Sequence, residues 1–529
     1  MATARLIYGG PIYTMAGSPH ACAEAMLICN GKVAATGSRS DLEAAAPGCC
    51  EKIDLGGRAV YPGMHDSHIH LVGWSLARRR VDLLRTRTID EALTILAKVA
   101  AATPPGEWIT GGRWDMSLWN VFPNCRQLDS VCRANPVFLS SKDGHSGWAN
   151  SLAMDAAGVT RETDAPPGGS IMRDVDGNIT GVFQDRAQSL IRRHIPSPSS
   201  EAVADAVKAG MGHLQSLGLT TVHSVDGARA LRAAEDLQQQ GVLGIRIAAC
   251  PSVEALPQVS DVGLKQGFGN DHVSLGPVKM FKDGALGSRT AHMLEPYENP
   301  PVTLGLEVMT NEQLAEAVSL AIETGFGVAV HAIGDRACRD VLDVLERFAA
   351  ESRRLGLRHR MEHAQVLTEV DVPRFAQLGV VASVQPSHAV ADRYMADKDW
   401  GRRARWAYPF ESLRRSGAVL AFGSDGPVDN PDPVYGIHCA VNRNAPGESD
   451  ALSWYPQERM EVLDAVWAYT AGASYSIGKE AILGDLSPGK LADFVVLSRD
   501  IARIPKQEIT SAKVLATAVG GEFVYGPEW

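Results

Sequence analysis

The sequence predicts an α/β protein: a (β/α)8 TIM barrel, a small β-sandwich domain formed by both chain ends, and a lobe inserted after the first barrel strand. Three observations carry that prediction. Eight short apolar, β-rich runs recur along the middle of the chain, most of them separated by helical patterns. The two ends share a different style, short β runs punctuated by Gly and Asn. One interval between successive runs, about residues 72–200, is too long to be a loop.

At the N-terminal end the runs are RLIYGG, AMLICNGKVAATG and EKIDLGGRAV, and near the C-terminal end LADFVVLS and KVLATAVGGEFVYG. Paired, they set the sandwich domain at residues 1–58 and 480–529, with the barrel over 59–479. The eight barrel runs are 59–64, 220–224, 245–250, 278–281, 327–331, 359–363, 380–385 and 418–423. Between them lie patterns such as AVADAVKAGMGHLQSLG and NEQLAEAVSLAIETG, each closed by Gly as helices often are. The long interval carries Trp108, Trp114, Trp119 and Trp148 and reads as a lobe over the barrel mouth.

Composition narrows the function classes. With 51 Lys and Arg against 61 Asp and Glu the net charge is −10, which argues against a nucleic-acid or anionic-membrane partner. The nine cysteines include no C-x-x-C pair, so a thiolate zinc site of the finger type is not expected. Their odd number, with no disulfide-like framework, fits a reducing cytoplasm. No charged and apolar leader opens the chain, and no run reaches the roughly 18 apolar residues of a membrane helix. The expected partner is a small-molecule substrate, and the expected assembly a homodimer.

The chemistry concentrates at strand ends. In His65-Asp66-Ser67-His68-Ile69-His70, period-2 alternation points His68 and His70 the same way, a ready bite for a metal ion. Alone, H-x-H fits a solvated surface strand equally well. The later strand ends add Lys279, His331, His363 and Asp425, and ionisable groups at successive C-terminal strand ends of a barrel meet in one mouth. Each could singly be a core histidine or a capping aspartate, but together and in register they point to a binding site. Lys282, three residues after Lys279, falls on the opposite strand face.

Pro62-Gly63-Met64-His65-Asp66-Ser67-His68-Ile69-His70 resembles the PG-x-x-D-x-H-x-H signature of the amidohydrolase superfamily. DGHSGW at 143–148, VKMFKDGALGSRTA at 278–291, HAIGD at 331–335, QPSH at 385–388 and GSDGPV at 423–428 resemble its amidohydrolase-3 branch, which includes N-substituted formamide deformylases. PGKLADF at 488–494 is similar to the superfamily's return to its sandwich domain. The resemblance implies that His68 and His70 hold the more buried metal. It implies that Lys279, carboxylated by CO2, bridges two ions, that His331 and His363 hold the second, and that Asp425 ligates and shuttles the proton. Zn²⁺ is the expected ion, at one or two sites. An ordinary interior lysine paired with Asp283 or Asp425 is the alternative for Lys279. His65 and Gly426 depart from the usual pattern without removing a ligand.

Further candidates are catalytic His145 and His223, and substrate-binding Asp143, Trp148, Arg289 and His388. Asp143 could instead cap a turn, His388 and Gln385 could pack a loop, and the tryptophans could be core or pocket wall. The implied function is metal-dependent hydrolysis of a non-peptide C–N bond of amide, N-formyl, carbamate or lactam type. Ester hydrolysis or decarboxylation on the same scaffold, and a non-catalytic regulatory barrel, are the alternatives.

Overall fold

The computed structural model describes residues 4–119, 122–142, 144–299 and 302–527. The chain divides into two compact units: Met1–Trp74 with Val203–Trp529, and Ser75–Ala202. Among the described residues no helix is long and apolar enough to cross a membrane.

In the first unit both chain ends build one sheet. Its strands run in the order Glu522–Tyr525, Val514–Val519, Phe494–Leu497, Ala59–Pro62, Ala4–Tyr13, Cys22–Cys29 and Lys32–Gly37, with Glu51–Asp54 beside Ala4–Tyr13. The runs expected to form a small sandwich hydrogen-bond as one eight-stranded sheet among the described residues. The long Ala4–Tyr13 strand shifts register between Tyr8 and Ile12. Its first half pairs with Glu51–Asp54 and its second half meets Ala59–Pro62 through Ile12 and Val60. The sheet buries Ile7, Ile12, Met26, Val60, Phe494, Val496 and Ala516 in a common core.

The run at 59–64, read as part of the first barrel strand, divides at Gly63. Ala59–Pro62 stays in the terminal sheet, antiparallel to Phe494–Leu497. Met64–Ile69 then starts the parallel part of the fold. Gly63 is required at the turn, since a Cβ there would lie 2.3 Å from Thr220 Oγ1.

The parallel strands fall into two sheets. One orders Met64–Ile69, Leu219–Ser224, Arg246–Ala249 and Val273–Leu275; the other runs Val278–Phe281, Val328–Ala332, Arg360–His363, Val381–Val384 and Leu420–Phe422. The segment 273–275, absent from the sequence reading, continues into 278–281 through Gly276 and Pro277. There the chain changes partners: Gly276 N–H donates to Ala249 O, whereas Val278 N–H donates to Gly327 O. Hydrogen bonds stitch the two sheets at both seams, from Lys279 N–H to Pro251 O (2.8 Å) and from Asp425 N–H to His68 O (2.7 Å). The intervening helices are locally encoded. Asn311–Glu323 opens on a Thr310–Gln313 capping box, and Asp335–Leu355 ends at Gly356 with φ +68°.

The second unit is a six-stranded mixed sheet in the order Val81–Asp82, Ile109–Trp114, Val137–Ser141, Ser146–Ala149, Ile179–Asp185, Gly169–Arg173. Its core packs Trp114, Trp119 and Trp148 with Leu128, Val137 and Leu139. Trp148, a candidate substrate contact, is wholly buried there. Its ring meets Trp119 edge-on at 5.9 Å and its indole N–H donates to Asn124 O. It is core rather than pocket wall. Trp148→Ala is therefore expected to destabilise this unit by about 3–5 kcal/mol, read as a lower urea midpoint; an unchanged midpoint would contradict this placement.

Candidate active site

The Met64–Ile69 strand carries His68 and leads directly to His70, the first candidate ligands, and the loop after Leu420–Phe422 is zipped against it. Asp425 N–H donates to His68 O, and His70 N–H donates to Gly426 O (2.9 Å). Gly423 permits the approach, because a Cβ on it would meet His68 N at 2.5 Å. Buried Asp66 locks the same loop, accepting from Ser424 N–H, Ser424 Oγ–H and His68 N–H. Burial pushes its carboxyl up to about 7 despite those donors. Asp425 itself adopts φ +58°, a left-handed conformation that Asp tolerates better than most residues.

This geometry puts Asp425 Oδ1 3.5 Å from His68 Nε2 and 3.5 Å from His70 Nε2. With metal–ligand bonds of about 2.0–2.1 Å, two ligands at a tetrahedral angle lie roughly 3.4 Å apart. His68 Nε2 is buried with no hydrogen-bond partner among the described residues. The three side chains therefore fit a divalent ion.

Protein acceptors fix the tautomers of three of the histidines. Glu362 Oε2 lies 2.5 Å from His68 Nδ1, Gln385 Oε1 2.8 Å from His363 Nδ1, and Gly284 O 2.9 Å from His331 Nε2. A carboxylate or carbonyl oxygen only accepts, so each ring spends its proton there and keeps a lone pair on the other nitrogen. Burial also keeps the rings neutral. It lowers His331 to about 4, with Lys279 reinforcing it, and holds His68 and His363 well below the usual imidazole range. The His331 and His363 rings stand 4.5 Å apart, and His363 and His68 4.8 Å.

Lys279 completes the cluster. Among the described residues its Nζ is buried without a hydrogen-bond partner, 4.8 Å from the Phe281 ring centre. Burial brings the amine down to about 8, against the opposing pull of Glu362 and Asp425. Lys282 faces away and donates to Glu307, Met309 O and Asn311. Asp425 is pushed above the ordinary carboxylate range by burial, although His388, His70 and Lys279 favour its charged form.

The other candidates scatter. His388 does join the site: His363, His388 and Asp425 offer ligand atoms within 4.8 Å of one another, and His388 Nε2 is buried without a partner. His223, expected to be catalytic, is drawn into a buried chain instead, its Nδ1 accepting from Arg360 and its Nε2 3.5 Å from His65. Both nitrogens thus face protein groups. Arg289, expected to bind substrate, is held bidentately by buried Asp399. His145 is exposed in the second unit and pairs with Asp185 at 2.7 Å. Asp143 lies outside the described residues.

Sequence reasoning missed Glu362, Asp66 and Asp226, whose Oδ1 lies 3.4 Å from His70 Nδ1. For Asp66 and Glu362 a signal existed, a carboxylate one or two residues from a ligand histidine. Asp226 follows the end of its strand and had none.

A model of the amidohydrolase family matches residues 51–525. The chain belongs to that family. Its motifs place it in the amidohydrolase-3 branch. Among curated proteins, this amidohydrolase is 35% identical over 537 residues to Protein LONG AFTER FAR-RED 3 of Arabidopsis thaliana, covering 98% of this chain and 91% of the relative. It is 26% identical over 527 residues to the N-substituted formamide deformylase of Arthrobacter pascens, covering 96% and 95%. Among solved structures, an uncharacterized metal-dependent hydrolase from Pyrococcus horikoshii OT3 superposes with TM-score 0.79 at 28% identity, covering 95% of this chain and 99% of that one. The amidohydrolase is thus a hydrolase of a metal-dependent family, with a set of buried donors suited to an ion.

Proposed function

We propose that this amidohydrolase cleaves a non-peptide C–N bond of a small molecule, using water and one or two Zn²⁺ ions held by His68, His70, Lys279, His331, His363 and Asp425. The observation that carries the reading is the cradle in which one Asp425 oxygen stands 3.5 Å from two imidazole nitrogens. An amide, N-formyl, carbamate or lactam carbonyl is the expected target, and the deformylase relative supports that bond type. The two parallel sheets, stitched at both seams, are read as the two arcs of one (β/α)8 barrel whose strand ends carry these ligands.

What the ion supplies when bound is Lewis acidity, polarising a carbonyl and lowering the pKa of water toward about 7. The remaining work falls to the chain. Asp425 takes the proton of the attacking water on its carboxylate and returns it to the leaving nitrogen, a role its raised pKa suits. The amide nitrogen of Gln365 lies 3.5 Å from His388 Nδ1, which leaves the His388 proton on Nε2, available to a substrate carbonyl oxygen. Phe281, packed against His331 at 5.3 Å, forms an apolar side of the site.

Lys279 is read as a carbamate. Its neutral amine attacks CO2, a C–N bond forms, one proton leaves, and an anionic oxygen donor results. Lowered basicity and a partnerless Nζ support this over an interior ion pair. Lys279→Ala should lose activity and most of a second equivalent of metal, with partial rescue by short carboxylic acids. Full metal content and near wild-type rate in that variant would rule the bridge out.

The test of the function is elemental analysis of purified protein with a screen of amides, carbamates and lactams, scored for released amine. Full turnover by exhaustively metal-free protein, or product without amine or ring-opened acid, would overturn the reading.

A further inference from the structure

Behind His68 lies a network that the proposed chemistry does not use. Glu362, wholly buried, accepts from His68 Nδ1 (2.5 Å) and Ser383 Oγ (2.6 Å) on one oxygen and from the Arg360 guanidinium (2.7 Å) on the other. Arg360 is wholly buried too. Its Nη2 donates to Ser67 O (2.7 Å), next to the ligand, and its Nη1 to His223 Nδ1 (3.0 Å). The ligand strand is thus held twice from the Arg360–His363 strand, by the His68 side chain and by the Ser67 backbone.

We propose that Glu362 is a positioning residue: its hydrogen bond to His68 Nδ1 selects the tautomer and ring orientation that aim the Nε2 lone pair into the cradle, and so sets the affinity of the site for its ion. The inference rests on the metal reading above. A neutral imidazole can carry its proton on either nitrogen, and only the Nδ1–H form leaves Nε2 able to ligate. An acceptor fixed at Nδ1 removes that choice before the ion arrives. Arg360 and Ser383 in turn hold the carboxylate so that it cannot swing away, and His223 and Ser67 O hold Arg360. Were Glu362 only the counter-charge of Arg360, one oxygen would suffice; the second is committed to His68 and Ser383. Outer partners of this kind change metal affinity by about 10–100-fold when removed.

Glu362→Leu, which leaves no acceptor at His68 Nδ1, tests the idea, but it strands the buried Arg360 charge and is expected to destabilise the fold. The double variant Arg360→Met/Glu362→Leu removes both charges and the acceptor at His68 Nδ1, and separates the two roles. The probes are Zn²⁺ alone, titrated against a chromogenic chelator, the visible absorption spectrum of the Co²⁺ form, and the thermal midpoint of the metal-free protein. The double variant should regain most of the midpoint lost in the single variant, yet bind Zn²⁺ about 10–100-fold more weakly than wild type and show a changed Co²⁺ spectrum. Zn²⁺ affinity within about twofold of wild type with an unaltered Co²⁺ spectrum would leave Glu362 a structural ion-pair partner and overturn the proposal. Wild-type protein that binds neither ion would overturn the metal reading itself, a distinguishable result.

Discussion

Replacing His68 by alanine is expected to strip the site of its more buried ion and bring turnover to background. The imidazole is removed from a position where nothing can replace it. It is wholly buried, its Nε2 has no other partner among the described residues, and of the three-residue cradle only Asp425 and His70 remain beside the proposed Lys279 bridge. The effect should appear first as a fall in the metal-to-protein ratio and only then as lost rate. Prolonged chelation of the wild type should give the same phenotype, reversible with Zn²⁺ in the wild type and not in the variant. A variant that kept both its metal and its activity would show that the ion, if present, sits elsewhere. The histidine is also the acceptor-directed end of a buried charge network, so some stability loss should accompany the metal loss. The metal ratio, measured on the folded fraction, separates the two.

Asp425→Asn is expected to slow the hydrolytic step by roughly 10²–10⁴ or more, the range of a lost general base, or about 3–5 kcal/mol of barrier. The amide keeps the shape of the loop that Asp66 and Gly423 pin against His68, so the fold should survive. It cannot take a proton. The carboxylate also faces two ligand nitrogens, so part of the metal should be lost as well, and the rate is to be compared at saturating Zn²⁺. Near wild-type turnover with full metal would show that Asp425 is not the base.

Much of this site was legible from spacing. Period-2 alternation aimed His68 and His70 together, and successive strand ends collected Lys279, His331, His363 and Asp425. That logic depends on regular strands, and it failed where the backbone is irregular. At the end of the Arg360–His363 strand His363 turns to φ +77°, which lets adjacent Glu362 and His363 both serve the site although strict alternation would send one away. Arg289 looked directed at substrate because its partner, Asp399, stands 110 residues later, a pairing no local pattern announces. Trp148 showed the limit of composition. An indole in a hydrophobic lobe reads the same whether it lines a pocket or fills a core, and only its burial against Trp119 decided between them. The segment 273–275 escaped because three residues ahead of a Gly–Pro break carry too little periodicity to register.

The sheet shared by the two chain ends also orders events during synthesis. The strand bearing His68 and His70 follows Gly63, whose N–H donates to Asp493 O, while Asp493 clamps the guanidinium of Arg246, 247 residues away along the chain. A ribosome therefore delivers the first ion ligands long before it delivers the residue that anchors their strand, and contacts so distant in sequence form slowly. A nascent or clipped chain lacking 490–497 would keep every candidate ligand, yet present His68 and His70 without the Gly63–Asp493 hydrogen bond and next to an unpaired Ala59–Pro62 edge.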